Sequence, residues 1–232
     1  MQPCEIGDGT ISLSGPAIGA MLWAKIPLPA SDDIVCPFPA RPDAIGELSH
    51  VRGTLLASSI QSLRSRGLFE RYSALLADSH RDRVLNSVAG EWLTIEIALA
   101  HYSACDALGL SVEDQIGMGR DVSRRTHETF LGLVVKMARG VGVTPWVVFP
   151  KINSLYTRIF RGGGIQITRV GPTDARVQTV GLRPLAITYF RNAYLGMYEA
   201  GVGMFASNVQ VRPLSLAASP PDKDFIHLVH WG

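Results

Sequence analysis

The stretch Gly162-Gly163-Gly164-Ile165-Gln166-Ile167-Thr168-Arg169-Val170-Gly171-Pro172-Thr173-Asp174-Ala175-Arg176-Val177-Gln178-Thr179-Val180 is where the chain changes regime. Before it, apolar residues recur every three or four positions, the period of a helix packed on one face. After the glycines the period becomes two: Ile165, Ile167 and Arg169 alternate with Gln166, Thr168 and Val170. Gly171-Pro172-Thr173-Asp174 is a turn cluster, and Ala175 to Leu182 alternates again, so the two runs predict a hairpin. The glycines follow a helix and precede a strand, the reverse of a phosphate-binding loop. They read as a helix stop and strand lead-in.

Downstream, Leu185 to Phe205 reads as one helix carrying Tyr189, Phe190, Tyr194, Leu195, Met197 and Tyr198. Asn208 to Leu216 and Asp224 to Trp231 then alternate as a second strand pair, joined across Ser219-Pro220-Pro221-Asp222-Lys223. Upstream, helices are expected from about Val51 to Arg161. Leu55, Leu56, Ile60 and Leu63 trace one, stopped at Gly67. The most apolar spans Glu91 to Leu108, with Trp92, Ile95, Leu99 and Tyr102 on one stripe. Glu96 and Asp106 interrupt it, and each needs water or a partner. Ser111 followed by Asp114 resembles a capping box. The helix behind it is expected to bend near Gly117 and Gly119. Thr144-Pro145 reads as the start of another helix, with a kink at Pro150.

The expected fold class is α+β: a helical N-terminal two-thirds, then a hairpin-helix-hairpin forming a four-stranded antiparallel sheet. Residues 48–232 are expected to be a single domain. Residues 1–47 hold seven of the fourteen prolines and exclude long helices, so they read as an irregular arm with at most a short strand. Their apolar content is too high for a free tail, which points to packing on the domain or on a second subunit.

Composition removes several function classes. A net charge of +2 argues against a protein built to hold nucleic acid. The apolar run from Ile11 to Leu28 is interrupted by Gly15, Pro16 and Gly19 and lacks a basic start, so neither a leader nor a membrane span is expected. Cys4, Cys36 and Cys105 are odd in number and far apart, which suits reduced thiols and a cytoplasmic location.

Candidate site residues follow from chemistry and spacing. His101 and Cys105 share a helix face at i and i+4, a spacing that suits a shared metal ion, but no third ligand is visible nearby. Tyr102 lies beside them. His127 sits between Arg124-Arg125 and Glu128, so its titration is open in sign. Lys151, Arg158 and Arg161, with Arg169, Arg176 and Arg183, form a candidate basic surface for an anionic ligand. GxSxG is absent and no carboxylate pair recurs.

Val51-Arg52-Gly53-Thr54-Leu55, Arg71-Tyr72, Trp92-Leu93, Leu108-Gly109-Leu110-Ser111 and the terminal Tyr194…Gly196…Gly201 resemble a family of bacterial domains of unknown function, expanded as paralogues in myxobacteria. The resemblance covers about residues 49–231 and transfers no catalytic residues. More distantly, the order of elements is similar to haem-dependent nitric-oxide sensors and to vinyl-reductase-like domains related to vesicle-tethering subunits. The sensors carry a Tyr-x-Ser-x-Arg signature, and the nearest string here, Tyr156-Thr157-Arg158, has another spacing.

The expectation is a non-enzymatic regulatory or small-molecule-sensing domain acting as a homodimer, with His101, Tyr102, His127, Tyr156 and Arg158 as ligand-binding candidates and a small hydrophobic or anionic ligand. Two alternatives stand beside it. One is an enzyme acting on a hydrophobic metabolite between the central helices, with His101, Tyr102 and His127 as acid–base groups. The other is a haem-binding sensor.

Overall fold

A computed structural model describes residues 33–130, 144–214 and 224–232, the side chains of 127–130 and of residue 224 excepted. Its elements in chain order are β1 (Ile34–Cys36), β2 (His50–Arg52), α1 (Gly53–Ser65), α2 (Phe69–Leu75), α3 (Asp78–Leu85), β3 (Trp92–Thr94), α4 (Ile95–Asp106), α5 (Val112–Phe130), α6 (Pro145–Val148), α7 (Ile152–Ile159), β4 (Phe160–Arg161), β5 (Gly164–Gly171), β6 (Asp174–Val180), α8 (Thr188–Val202), β7 (Gln210–Pro213) and β8 (Asp224–His230). The α+β class and the hairpin-helix-hairpin order are as expected.

The main sheet runs β1-β5-β6-β8-β7, all antiparallel. The two predicted hairpins lie side by side through β6 and β8, where Val177 faces His227. The fifth strand, β1, pairs Ile34 with Thr168 and Cys36 with Ile167. Residues 33–47 are thus knitted to the sheet, and Cys36 is buried. Cys4 and the apolar run 11–28 fall outside the described residues.

A second, three-stranded sheet, β3-β2-β4, corrects the helical expectation at three places. Val51, Trp92 and Arg161 sit on strands, not on helices. The pairings Arg52↔Trp92, Val51↔Leu93 and Val51↔Phe160 supply the reason. Each short strand buries its middle or leading apolar residue and finds backbone partners from strands distant in sequence, which a local period cannot show. The remaining helix predictions hold with shifted ends. Ser111 caps α5 reciprocally with Asp114 (Asp114 N–H to Ser111 Oγ 3.1 Å; Ser111 Oγ to Asp114 Oδ2 2.6 Å). Pro150 lies in a short 3-10 turn between α6 and α7.

α5 continues through Gly117 and Gly119 as one helix. Gly119, and Gly196 on α8, serve packing. A Cβ on Gly119 would lie 1.9 Å from the Ala193 carbonyl oxygen, and one on Gly196 would lie 2.0 Å from that of Ile116. α5 and α8 therefore cross with their backbones in near contact. Asp106 also finds its partner at this junction. Its carboxylate accepts the Tyr189 N–H at 2.7 Å, so one helix caps the first turn of another. Glu96 is exposed and 3.8 Å from Arg183.

The core is one cluster that joins α1, α4, α5 and α8 to the inner face of the main sheet. Tyr189, Phe190 and Tyr194 are all buried within it. The aromatic helix thus contributes these three rings to the core. Among the described residues, no helix is long and apolar enough to cross a membrane.

Candidate functional site

The candidate residues fall into three separate places. His101 and Tyr102 lie in the core, on α4. His101 is wholly buried. Its Nδ1 is 2.6 Å from the Tyr72 hydroxyl and its Nε2 is 3.0 Å from Ser59 Oγ. Ser59 Oγ is 3.3 Å from the Tyr189 hydroxyl, which donates to Met118 Sδ at 3.9 Å. One proton order satisfies every member: Tyr72 donates to Nδ1, Nε2–H donates to Ser59, and Ser59 donates to Tyr189. Burial pulls the His101 pKa down to about 3, so the ring is neutral. Cys105 Sγ lies 3.8 Å from Nε2, and burial pushes that thiol up. With both ring nitrogens engaged and the thiol protonated, His101 and Cys105 are not prepared for a metal ion. No group of three or more ligating side chains occurs among the described residues.

Ser59, His101 and Tyr72 resemble a nucleophile, base and orienting group in their distances, but not in their setting. The orienting group is a phenol rather than a carboxylate. Ser59 opens only onto a space of about 20 Å³, room for about one water. Tyr102 packs edge-on to His101 and against Phe190, with ring centroids 5.2 and 4.7 Å apart.

Arg158 is exposed on α7, and Lys151 is exposed where α7 begins. The arginines of the expected basic surface each have neighbours of their own. Arg161 and Arg52 lie over the Trp92 ring at 4.2 and 4.7 Å. Arg169 lies over Trp146 at 4.2 Å, and Arg183 lies 4.0 Å from Glu47. The side chain of His127 is outside the described residues.

Among the described candidates, Tyr156 is the one that lines the larger cavity. This cavity, of about 140 Å³, lies between α5, the α6–α7 segment, α8 and β5. Its wall is nearly all aliphatic and aromatic, with Phe149, Ile152, Ile165 and Val202 among its residues. Its hydroxyls are those of Ser123, Thr126, Tyr156, Tyr194 and Tyr198. Ser123 donates to the Met197 carbonyl at 3.1 Å, Thr126 to that of Val122 at 2.8 Å, and Tyr156 to that of Gly162 at 3.1 Å. Tyr194 Oη lies 3.5 Å from Thr179 Oγ1, and the Tyr198 ring meets the Tyr194 ring edge-on with centroids 5.2 Å apart. Burial raises the pKa of all three tyrosines, so they are neutral phenols.

One ring behind this wall lies His227 on β8. Its centroid is 4.4 Å from that of Tyr198 and 6.1 Å from that of Tyr194. His227 is wholly buried and neither ring nitrogen has a partner. Burial takes its pKa down to about 3. Sequence reasoning missed Tyr194, Met197, Tyr198 and His227 as site residues. The first three, with Gly201, recur at i, i+3, i+4 and i+7, a signal that reads equally as ordinary core. His227 carried no local signal.

No protein-family model matches the chain, and neither does any curated protein. The myxobacterial resemblance thus has no counterpart in these comparisons. Solved structures do match. An H-NOX protein of T. Tengcongensis is 14% identical, with a TM-score of 0.54 over 78% of this chain and 97% of that one. An oxygen-binding H-NOX domain related to soluble guanylate cyclases is 13% identical, with a TM-score of 0.51 over 78% and 94%. An H-NOX protein from K. algicida is 9% identical, with a TM-score of 0.54 over 78% and 96%. The chain has an H-NOX-like fold.

That fold raises the question of haem. Iron needs an axial ligand, usually His or Cys, and the porphyrin carboxylates need cationic or hydrogen-bonding partners. Among the described residues the cavity wall holds no His, Cys, Lys or Arg. His101 is committed at both nitrogens, and His227 stands behind Tyr198. The described wall does not fit haem.

Proposed function

We propose that this is a small-molecule-sensing domain without catalytic chemistry of its own, with its ligand in the cavity between α5, α7, α8 and β5. The supporting observation is the cavity itself. It is apolar and partly enclosed, and close to the size of engineered cavities that take up a benzene-sized molecule, roughly 150 Å³. The residues arranged like a catalytic group, Ser59 and His101, open onto no such space. Occupancy would be transmitted through α8, which contributes Tyr194, Met197, Tyr198 and Gly201 to the wall and crosses α5 at Gly119 and Gly196.

A ligand bound only by the folded state raises stability with its concentration. Toluene, as a probe of the cavity, should therefore raise the unfolding midpoint. Leu155→Trp, which fills the cavity, should abolish the rise. No rise with toluene overturns the proposal. A homodimer is the simplest way for such a domain to report occupancy, and light scattering that shows a strict monomer at high concentration overturns that part.

A haem-binding sensor is the second reading, and it rests on the H-NOX-like fold. Titration with haem tests it: a Soret band with one-to-one saturation would favour it, and no band would dispose of it.

A further inference from the structure

The small sheet β3-β2-β4 gathers its charged and aromatic groups on the face turned away from the core. Val51, Leu93 and Phe160 are buried on the inner face. Alternation along the strands then puts Arg52, Trp92 and Arg161 on the outer face, with His50 between them on β2. Arg161 is exposed, and Arg52, Trp92 and His50 are half-buried. Arg52 stands opposite Trp92 in register, and its guanidinium lies 4.7 Å from the centre of the ring. Arg161 comes from the far strand, reaches across β2, and lies 4.2 Å from the same ring.

Two like charges on one ring repel each other unless an anion stands between them. Among the described residues none does, and neither guanidinium has a hydrogen bond or an ion pair. The nearby acids are engaged elsewhere. Glu91 accepts two hydrogen bonds from Arg83, at 2.6 and 2.9 Å. Glu96 and Glu47 lie beside Arg183, at 3.8 and 4.0 Å. The ring holds both arginines in place, so little side-chain freedom is left to lose when an anion arrives.

The number of donors selects the anion. A carboxylate has two oxygens and one charge, and a single guanidinium fork satisfies both. A phosphoryl group on a side chain presents three oxygens and nearly two charges, which suits two forks. The shape of the site selects what carries the phosphoryl group. Small molecules bind in concave pockets that enclose most of their surface, whereas this is the open face of a sheet. The far side of the phosphoryl group must be covered by a partner's own surface. A net charge of +2 disfavours nucleic acid as that partner. We infer that the outer face of β3-β2-β4 docks a phosphorylated side chain of a partner protein, with the phosphoryl group held between Arg52 and Arg161.

NMR titration of the full chain, read at the Trp92 indole N–H, tests this with four probes. They are a glycine-rich peptide with a central phosphoserine, the same peptide with serine or glutamate there, and inorganic phosphate. The Trp92 signal is assigned by its loss in Trp92→Phe. The phosphoserine peptide should shift the signal and saturate, and the serine peptide should not shift it. The glutamate peptide should bind about tenfold more weakly or worse, the worth of one charge-assisted hydrogen bond. Arg52→Gln and Arg161→Gln should each weaken the phosphoserine peptide by about tenfold or more. Arg161→Lys keeps the charge and the stem and loses the fork, so it should weaken binding by about threefold or more even with the fold untouched. Arg158→Gln removes the same charge from an exposed position on α7, and affinity should stay within about twofold. Glutamate binding as tightly as phosphoserine would overturn the inference, as would equal losses in Arg158→Gln and Arg161→Gln or no shift with the phosphoserine peptide. Inorganic phosphate binding more tightly than the peptide would overturn the protein partner. None of these results touches the sensing role, whose own test is toluene in the cavity.

Discussion

Two buried histidines, identical in exposure, are in opposite hydrogen-bonding situations. His101 joins Tyr72 to Ser59, whereas His227 joins nothing. Their substitutions should therefore differ in effect. Removing one partner from a buried pair costs the desolvation of the group left behind, so Tyr72→Phe or His101→Leu should destabilise by about 1–3 kcal/mol. His227→Leu removes two unpaired nitrogens from an apolar setting and should be neutral or stabilising. Urea unfolding checks both, and a larger loss for His227→Leu than for His101→Leu would refute the assignment. The same pair predicts an acid dependence. Both folded pKa values lie near 3, below the 6.5 of an exposed imidazole. Between those values the unfolded chain binds more protons than the folded one, so stability is fully present above pH 6.5 and is lost as pH falls toward 3. The slope is at most about 1.4 kcal/mol per pH unit for each histidine, and His227→Leu should remove its share. Much at this scale was legible in the sequence. Cys105 reads as a reduced thiol, and it is free and buried. The partners of His101 were not legible, because Ser59 and Tyr72 come from two other helices.

Helix crossings are decided by small groups at particular positions. Gly119 and Gly196 bring α5 and α8 together so closely that a methyl group on either would meet a backbone carbonyl. A backbone cannot step aside as a side chain can. Gly119→Ala and Gly196→Ala should each cost about 1–3 kcal/mol, outweighing the gain of about 1 kcal/mol in helix propensity. Gly117 is the control. Its nearest neighbour is the end of the flexible Arg66 side chain, at 3.1 Å. Gly117→Ala should therefore be neutral or slightly stabilising, and thermal unfolding of the three variants checks the order. Asp106→Ala should lose about 1 kcal/mol by uncapping α8. The sequence marked Gly117 and Gly119 as the place of a bend. A glycine in a helix has the same local signature whether it weakens the helix or admits a neighbour. Trp92-Leu93-Thr94 misled for a related reason. It continues the apolar period of α4 and becomes a strand only because β2 lies beside it.

Over the whole molecule, the first described residues are structural. β1 closes one edge of the main sheet, Asn153 Nδ2 donates to the Pro37 carbonyl at 2.6 Å, and Gly163 N–H donates to the Gly46 carbonyl at 2.7 Å. Deleting residues 1–47 should lower the unfolding midpoint measurably, by the loss of about 2 kcal/mol or more with Cys36 and its strand removed. An accessory arm would leave the midpoint unchanged, so the experiment also tests the boundary placed at residue 48. The cavity adds a second prediction at this scale: with Leu155→Trp the protein should remain folded and lose its response to toluene.

The sequence by itself determined the class of the fold. The switch of apolar period from helical to alternating at Gly162-Gly163-Gly164, the two hairpins and the helix between them are all carried by residues near one another along the chain, and local backbone preference and one-sided burial suffice to express them. Tertiary structure alone decided the small second sheet, the fifth strand, the close approach of α5 to α8 and the cavity. Each depends on groups far apart in sequence, and none leaves a local period. The pairing of Thr179 with Tyr194 is the sharpest case, since the two hydroxyls meet only because a strand and a helix place them together.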